Sequence, residues 1–252
     1  MSDLLVETIE GIAWVTINRP QAANAMDRET KQHLLDFFSS VDRREDVGVI
    51  IIRGAGQGSF CAGTDLKEMA TFSPLDAEQM LKLEHRLNDA IRKCGKPVIA
   101  AVGGHALGGG LVMALVCDYS IVSEEATLGF PEIKAGLPAS IEIAMVHKFI
   151  GLARSRQLIY FGEPFEPAEA LSIGLINEVV PAKRVYQRAE EVAHMFLSLS
   201  PTALRLQKEL INKWIESDFI SAVETSMYAA GLSFTTGEPQ KAIEDFLAKR
   251  TR

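Results

Sequence analysis

The sequence predicts an α/β layered fold. Three observations point to it. Short β-branched runs alternate with helical periodicities through the first half of the chain. Two of those runs, residues 47–52 (VGVIII) and Val98–Val102 (VIAAV), carry no polar side chain, the pattern of parallel strands covered on both faces. Past Glu132 the pattern turns almost wholly helical.

Taken in order, Ile12–Ile17 (IAWVTI) reads as a strand closed by Asn18-Arg19-Pro20. Asp27 caps a helix running to about Val41, with Leu34, Leu35 and Phe38 on one face. Residues 47–52 give the next strand. Ser73-Pro74-Leu75-Asp76 has the form of a capping box with proline at the first helical position, and Met80, Leu83, Leu87 and Ile91 keep helical spacing behind it. Val98–Val102 is a second buried strand, followed by a glycine turn, a helix and a strand at 119–122. Helices are then expected at 139–150, 153–161, 184–199, 201–216 and 218–231, with breaks at Ser200-Pro201 and Gly237-Glu238-Pro239. This divides the chain into an α/β core over 1–190 and a helical C-terminal region over 191–252, without a low-complexity linker or internal repeat.

A chain of 252 residues supports a substantial buried core. A net charge of −7 disfavours nucleic acid or an anionic membrane as partner, because like charges repel. Cys61, Cys94 and Cys117 show no CxxC spacing, which excludes a zinc ribbon or a full disulfide framework and fits a reducing cytoplasm. The acidic start MSDLLVETIEG lacks the basic and apolar regions of a secretory signal, so none is expected. Residues 97–117 are uncharged over a length that could span a bilayer. Five glycines and His105 interrupt them, so a buried strand–loop–helix is expected and no membrane span.

Two glycine-bearing turns follow buried strands, at 54–65 (GAGQGSFCAGTD) and 103–110 (GGHALGGG). Neither is a dinucleotide fingerprint, since Ser59 stands where a third glycine is needed, and neither carries the Gly-Lys-Ser/Thr of a phosphate loop. Taken singly, each is equally well a tight connection. Taken together, their backbone N–H groups could converge on one oxygen, the second turn opening a helix whose dipole favours negative charge. Such a hole suits an enolate or a tetrahedral oxyanion.

Nucleophilic chemistry has little support, because no GxSxG elbow is present. His105 among small residues reads as packing or surface, and His33, His85, His147 and His194 lack metal-ligand spacing. The pairs Glu124-Glu125 and Glu190-Glu191 read as solvated faces. Glu132 differs. It lies in the apolar, proline-ordered segment GFPEIKAG, where partial desolvation would raise its proton affinity toward that of a general base. Alone, such a residue is more often a surface or capping glutamate.

The segments FCAGTDLKEM (60–69), KPVIAAV (96–102), ALGGG (106–110), Cys117-Asp118 and FPEI (130–133) stand in one order and spacing. Together they resemble the crotonase (enoyl-CoA hydratase/isomerase) superfamily, over a span from Asn18-Arg19-Pro20 to FLAKR at 246–250. The resemblance implies a spiral of β-β-α turns with a helical C-terminal trimerisation region, assembled as a homotrimer or a dimer of trimers. It implies acyl-CoA thioesters as substrates, coenzyme A arriving as part of the thioester, and no tightly bound cofactor or metal. By motif, the enolate oxygen would be held by the backbone N–H groups of Thr64 and Gly109. Ala22, Ala62, Asp65, Leu66, Lys67 and Gly108 would line the coenzyme A and substrate pocket, with Gln21 at a position that is frequently basic.

Hydratases of this family typically use two glutamates. Here the first falls on Val112, which handles no proton, and the second is Glu132. The following GLPAS (136–140) lacks the glycine-rich turn usual in hydratases, and Ser140 and Glu142 lie near where some isomerases place an extra acid. Loss of one of two cooperating groups costs hydration about 10²-fold or more. A single glutamate suits double-bond migration: Glu132 would take a proton from C2 of a 3-enoyl-CoA and return it at C4. The alternatives are hydration with another acid standing in, decarboxylation or carbon–carbon chemistry on the same enolate, and a non-catalytic scaffold.

Overall fold

The computed structural model describes residues 2–56, 58–241 and 243. Its frame is a six-stranded sheet. The strands are β1 (Leu4–Ile9), β2 (Ile12–Ile17), β3 (Val49–Gly54), β5 (Val98–Val102), β7 (Tyr119–Ser123) and β9 (Glu178–Val180), side by side in that order. Only the β1–β2 pairing is antiparallel. A second, parallel sheet is made of β4 (Ser59–Cys61), β6 (His105–Leu107) and β8 (Leu128–Gly129).

The chain winds between the two sheets as a spiral of β-β-α turns, as the resemblance implies. It passes from β3 through β4 to α2 (Leu66–Met69) and α3 (Pro74–Lys93), and from β5 through β6 to α4 (Gly109–Val116). The next turn runs from β7 through β8 to α5 (Val146–Phe161). Helix α1 (Arg28–Ser40) packs on α3. After α6 (Pro167–Ser172), α7 (Val185–Leu197) lies on β3, β5 and β7, and α8 (Pro201–Glu216) and α9 (Phe219–Ser233) follow. Residue 190 therefore falls inside α7.

All six residues of β2 and all five of β5 are buried because both faces of the large sheet are covered. One face meets α1, α3 and α4 through Val15, Ile17, Leu34 and Leu87. The other meets α7 through Trp14, Ile51, Val185 and Ala189. The caps form as the sequence indicates. Asp27 accepts from the Thr30 N–H at 2.9 Å, and the Ser73–Asp76 box closes reciprocally, at 3.2 and 3.0 Å.

Two expectations shift. Residues 141–145 form a 3₁₀ turn, and α5 starts only at Val146, running to Phe161 across a break at Gly151 (φ 74°). Gly136 (φ 75°) and Ile141 (φ 49°) hold left-handed conformations that cannot continue a helix, which is why residues 139–145 do not join it. The strand expected from Val47 begins at Val49. Residues 97–117 divide into β5, β6 and α4, and among the described residues no helix is long and apolar enough to cross a membrane.

Helix α8 is fastened to the core chiefly through Lys208, with Asn212 Nδ2 adding a bond to the Arg92 carbonyl at 2.8 Å. Lys208 Nζ donates to the carbonyls of Ile91 and Lys96 at 3.0 and 3.1 Å and to Asp118 Oδ2 at 2.6 Å. Asp118 also accepts from the Val98 N–H at 2.8 Å. Burial pushes the Asp118 carboxyl up, and Lys208 works against that rise. Lys208→Met is expected to cost about 2 kcal/mol in a urea melt, since it leaves a partly buried carboxylate and two carbonyls without their donor. A loss under about 1 kcal/mol would make the contact a surface-type pair.

Candidate functional site

The two glycine turns meet where the small sheet joins α4. A Cβ on Gly63 would lie 3.0 Å from the Leu107 carbonyl oxygen and 3.3 Å from the Gly109 nitrogen. On Gly110 it would lie 2.0 Å from the Cys61 carbonyl oxygen. Glycine is needed here for close approach of two backbones. Gly108 adds a left-handed φ of 52° that turns the chain from β6 into α4.

Two N–H groups flank this contact, those of Thr64 and Gly109. Thr64 bridges Met26 in parallel fashion, with Met26 N–H donating to Gly63 O and Asp65 N–H donating to Met26 O. The Thr64 N–H therefore faces away from Met26, and among the described residues it makes no backbone hydrogen bond. Gly109 opens α4, so its N–H is among the first four, which have no intrahelical partner. The arrangement can receive an anionic oxygen at a helix N-terminus.

Glu132 reaches the same turn. It lies in a 3₁₀ turn, Pro131–Ala135, directly after β8 and Phe130. Its Oε1 is 3.0 Å from the position a Gly108 Cβ would take. Its Oε2 is buried without a hydrogen-bond partner. Burial pushes the Glu132 carboxyl up from the ordinary glutamate range; a backbone hydrogen bond opposes this, and the charge of Glu84 adds to it. Val112, the position without an acid, is buried in the core at 2% exposure.

Glu84 went unnoticed in the sequence, as did its partner Lys31. Glu84 stands on α3 and is buried, and Lys31 on α1 is fully enclosed at 0% exposure. Lys31 Nζ donates to Glu84 Oε2 at 2.5 Å and to Thr64 Oγ1 at 2.7 Å, and Thr64 Oγ1 donates to Glu84 Oε2 at 3.1 Å. Glu84 Oε1 lies 2.3 Å from where a Gly109 Cβ would be, so the carboxylate fills the space that glycine leaves open. One signal was available. Lys31 falls in register with Leu34, Leu35 and Phe38, and Glu84 with Met80, Leu87 and Ile91, so each puts a charge on an apolar helical stripe.

The other expected residues separate. Ala22 and Ala62 are half-buried beside the turns. Asn24 ties the two segments together, donating to the carbonyls of Ala55 and Ser59 at 2.9 and 2.7 Å. The Asp65 carboxylate is already engaged, capping α2 through the Lys67 N–H and pairing with Arg19, both at 2.9 Å. Leu66 is 69% exposed and Lys67 is exposed, leaving both open to a ligand. Glu142 is buried on His85 Nδ1 at 2.5 Å and Asn88 at 2.8 Å, and Ser140 is half-buried. His105 is exposed. Burial pushes the Cys61 thiol up to about 12, which removes it as a nucleophile at neutral pH. Among the described residues no group of three potential ligands could hold a metal ion. The FLAKR segment at 246–250 lies outside the described residues.

The family model described as enoyl-CoA hydratase/isomerase matches residues 7–252. The chain is 33% identical over 251 residues to the short-chain-enoyl-CoA hydratase of Clostridium acetobutylicum, covering 99% of this chain and 96% of that one. It is 33% identical over 249 residues to the crotonyl-CoA hydratase of Syntrophomonas wolfei, covering 98% and 96%. The crystal structure of an enoyl-CoA hydratase from Mycobacterium smegmatis superimposes with a TM-score of 0.94 at 27% identity, covering 99% of this chain and 97% of that one. The enoyl-CoA hydratase from Bacillus anthracis gives 0.92 at 28%, covering 98% and 97%. The protein is thus a member of the enoyl-CoA hydratase/isomerase family.

Proposed function

We propose that this enzyme forms the enolate of an enoyl-CoA thioester, and that the reaction its most evident proton carrier completes is migration of a double bond from 3-enoyl-CoA to 2-enoyl-CoA. In this reading the thioester oxygen sits between the N–H groups of Thr64 and Gly109. Glu132 removes a C2 proton and returns it at C4. Coenzyme A enters as part of the substrate, along Ala22, Ala62, Leu66 and Lys67, and no tightly bound cofactor takes part. The observation that carries the reading is the position of Glu132: its carboxylate lies against Gly108, one residue from an unpaired helix N–H, with Oε2 buried and free. A carboxyl whose proton affinity burial has raised is a stronger base when ionised and can still give the proton back.

The exposed apolar side chains of α9, Phe219, Ile220, Met227 and Leu232, support assembly into the homotrimer or dimer of trimers that the resemblance implies. The names of the relatives favour a second reading, water addition. That reaction asks for a second proton-handling group beside Glu132.

The test follows 3-enoyl-CoA by mass and absorbance. Conversion to the conjugated 2-enoyl thioester at unchanged mass is the expected result, and a 3-enoyl thioester left untouched would contradict it. The pH dependence has a definite sign. As base, Glu132 must be ionised, so isomerisation kcat/KM rises with pH through its upward-shifted titration, above the ordinary glutamate range. A profile flat across that range would remove Glu132 from the role.

A further inference from the structure

We propose that Glu84 is a second catalytic acid–base residue of this site, supplied by α3 into the space that a side chain at position 112 would otherwise reach, and that it equips the enzyme to add water to a 2-enoyl thioester. The inference rests on the enolate reading above and extends it to a second activity.

The geometry runs through α4. Residues 109 and 112 are spaced i, i+3, and helix side chains lean toward the N-terminus, so a side chain at 112 covers the face of the turn that holds Gly109. Val112 is too short and apolar to put a proton carrier there. The void beside the Gly109 Cα is filled by Glu84 Oε1, 2.3 Å from the position of the missing Cβ. The two oxygens of that carboxylate are unlike. Oε2 is held by Lys31 and the Thr64 hydroxyl. Oε1 has no hydrogen-bond partner among the described residues and is not among the buried unpaired atoms, so it remains reachable.

A purely structural ion pair would have no need to present one free carboxylate oxygen beside a helix-opening glycine. Lys31 has a further consequence. An anionic carboxylate close to a forming enolate would repel it, and an enclosed ammonium on the same carboxylate offsets that repulsion. The Lys31 ammonium also donates to Thr64 Oγ1, on one of the two residues whose N–H groups receive the enolate oxygen.

The step balances within the site. The water oxygen bonds to C3 while its proton passes to Glu84 Oε1. The C2–C3 π pair shifts toward C1 and the thioester oxygen becomes the enolate oxygen, held by the N–H groups of Thr64 and Gly109. The enolate then re-forms the carbonyl as C2 takes a proton from the neutral Glu132 carboxyl. The product is a 3-hydroxyacyl thioester, one water heavier, and the proton left on Glu84 returns to Glu132 through solvent. The upward shift of Glu132, to which the Glu84 charge contributes, supports Glu132 as the donor.

The experiment compares wild type, Glu84→Gln, Glu84→Asp and the double variant Lys31→Met/Glu84→Gln on a short 2-enoyl-CoA and on 3-enoyl-CoA, with a thermal melt of each. Glu84→Asp keeps the charge that balances Lys31 but draws the carboxylate back by one methylene. The double variant removes the pair as a unit, so no buried charge is stranded. Hydration is expected to fall roughly 10²-fold or more in the Gln variants and about tenfold in Glu84→Asp, with isomerisation falling distinctly less. The ratio of hydration to isomerisation is the decisive readout. Wild type that does not hydrate, folded variants that hydrate within about threefold of wild type, or a parallel fall in both reactions that tracks melting temperature would each overturn the proposal. Activity retained by Glu132→Gln would instead overturn the underlying enolate reading, so the two failures are separable.

Discussion

Glu132→Gln is expected to lower turnover of 3-enoyl-CoA by about 10²–10⁴-fold while substrate binding is retained. The substitution keeps the shape of the side chain and its place beside Gly108 but removes the group that carries the proton. The binding contacts assigned to the thioester, Thr64 and Gly109 N–H, are backbone and do not change. The loss should therefore fall on kcat rather than on the affinity for the acyl-CoA. Single-turnover kinetics with an equilibrium binding measurement separates the two, and turnover within tenfold of wild type would sink the assignment.

The same variant should be more stable than wild type at neutral pH. The folded-state affinity of Glu132 for its proton is raised by burial, so the folded chain binds more protons than the unfolded one across the shifted range. Stability contributed by this group is then present at low pH and lost as pH rises through the folded-state titration. Glutamine cannot ionise and removes that loss. A melting temperature above wild type at neutral pH, converging with it in acid, is the expected pattern. Buried Oε2 has no partner to compensate, which is the cost the site carries for a responsive carboxyl.

Gly110→Ala is expected to cost about 3 kcal/mol or more in folding stability. The new Cβ would sit 2.0 Å from the Cys61 carbonyl oxygen and 2.7 Å from its carbon, which are backbone atoms of the neighbouring turn and cannot swing aside. Relief requires separating β4 from α4, and with them the Thr64 and Gly109 N–H groups, so activity should fall together with stability. Gly58 provides the control, because a Cβ there meets nothing within 4 Å. Chemical denaturation of the two variants side by side reads the difference, and equal stabilities would show that the close approach is not a constraint.

How far the sequence reaches is set by the range of the interactions involved. Capping boxes and buried strands are local, and Ser73–Asp76, Ile12–Ile17 and Val98–Val102 were legible from a few adjacent residues. The strands of the small sheet are three, three and two residues long, too short for any periodicity to register. Their signature is instead the glycines, which let two turns touch. The meeting of those turns was anticipated, and the reason for each glycine became visible only in the distances between Gly63 and Gly109 and between Gly110 and Cys61. Glu132 was found because its own neighbours are apolar. Glu84 and Lys31 lie 53 residues apart, and nothing near either one names the other. What the sequence did hold was a lysine and a glutamate on helical stripes otherwise made of leucine, isoleucine, phenylalanine and methionine. Buried charges of that kind persist only when paired, so two of them in one chain amount to a testable contact.

The central claim is that Glu132 moves the C2 proton of a thioester whose oxygen is held by two backbone N–H groups. Deuterium incorporation at C2 of an acyl-CoA incubated with enzyme in heavy water tests it most directly, because exchange requires enolate formation and nothing beyond it. Wild type is expected to incorporate deuterium at C2, and Glu132→Gln to incorporate none above the uncatalysed rate. Exchange at equal rates in the two proteins, or none in wild type, would contradict the account.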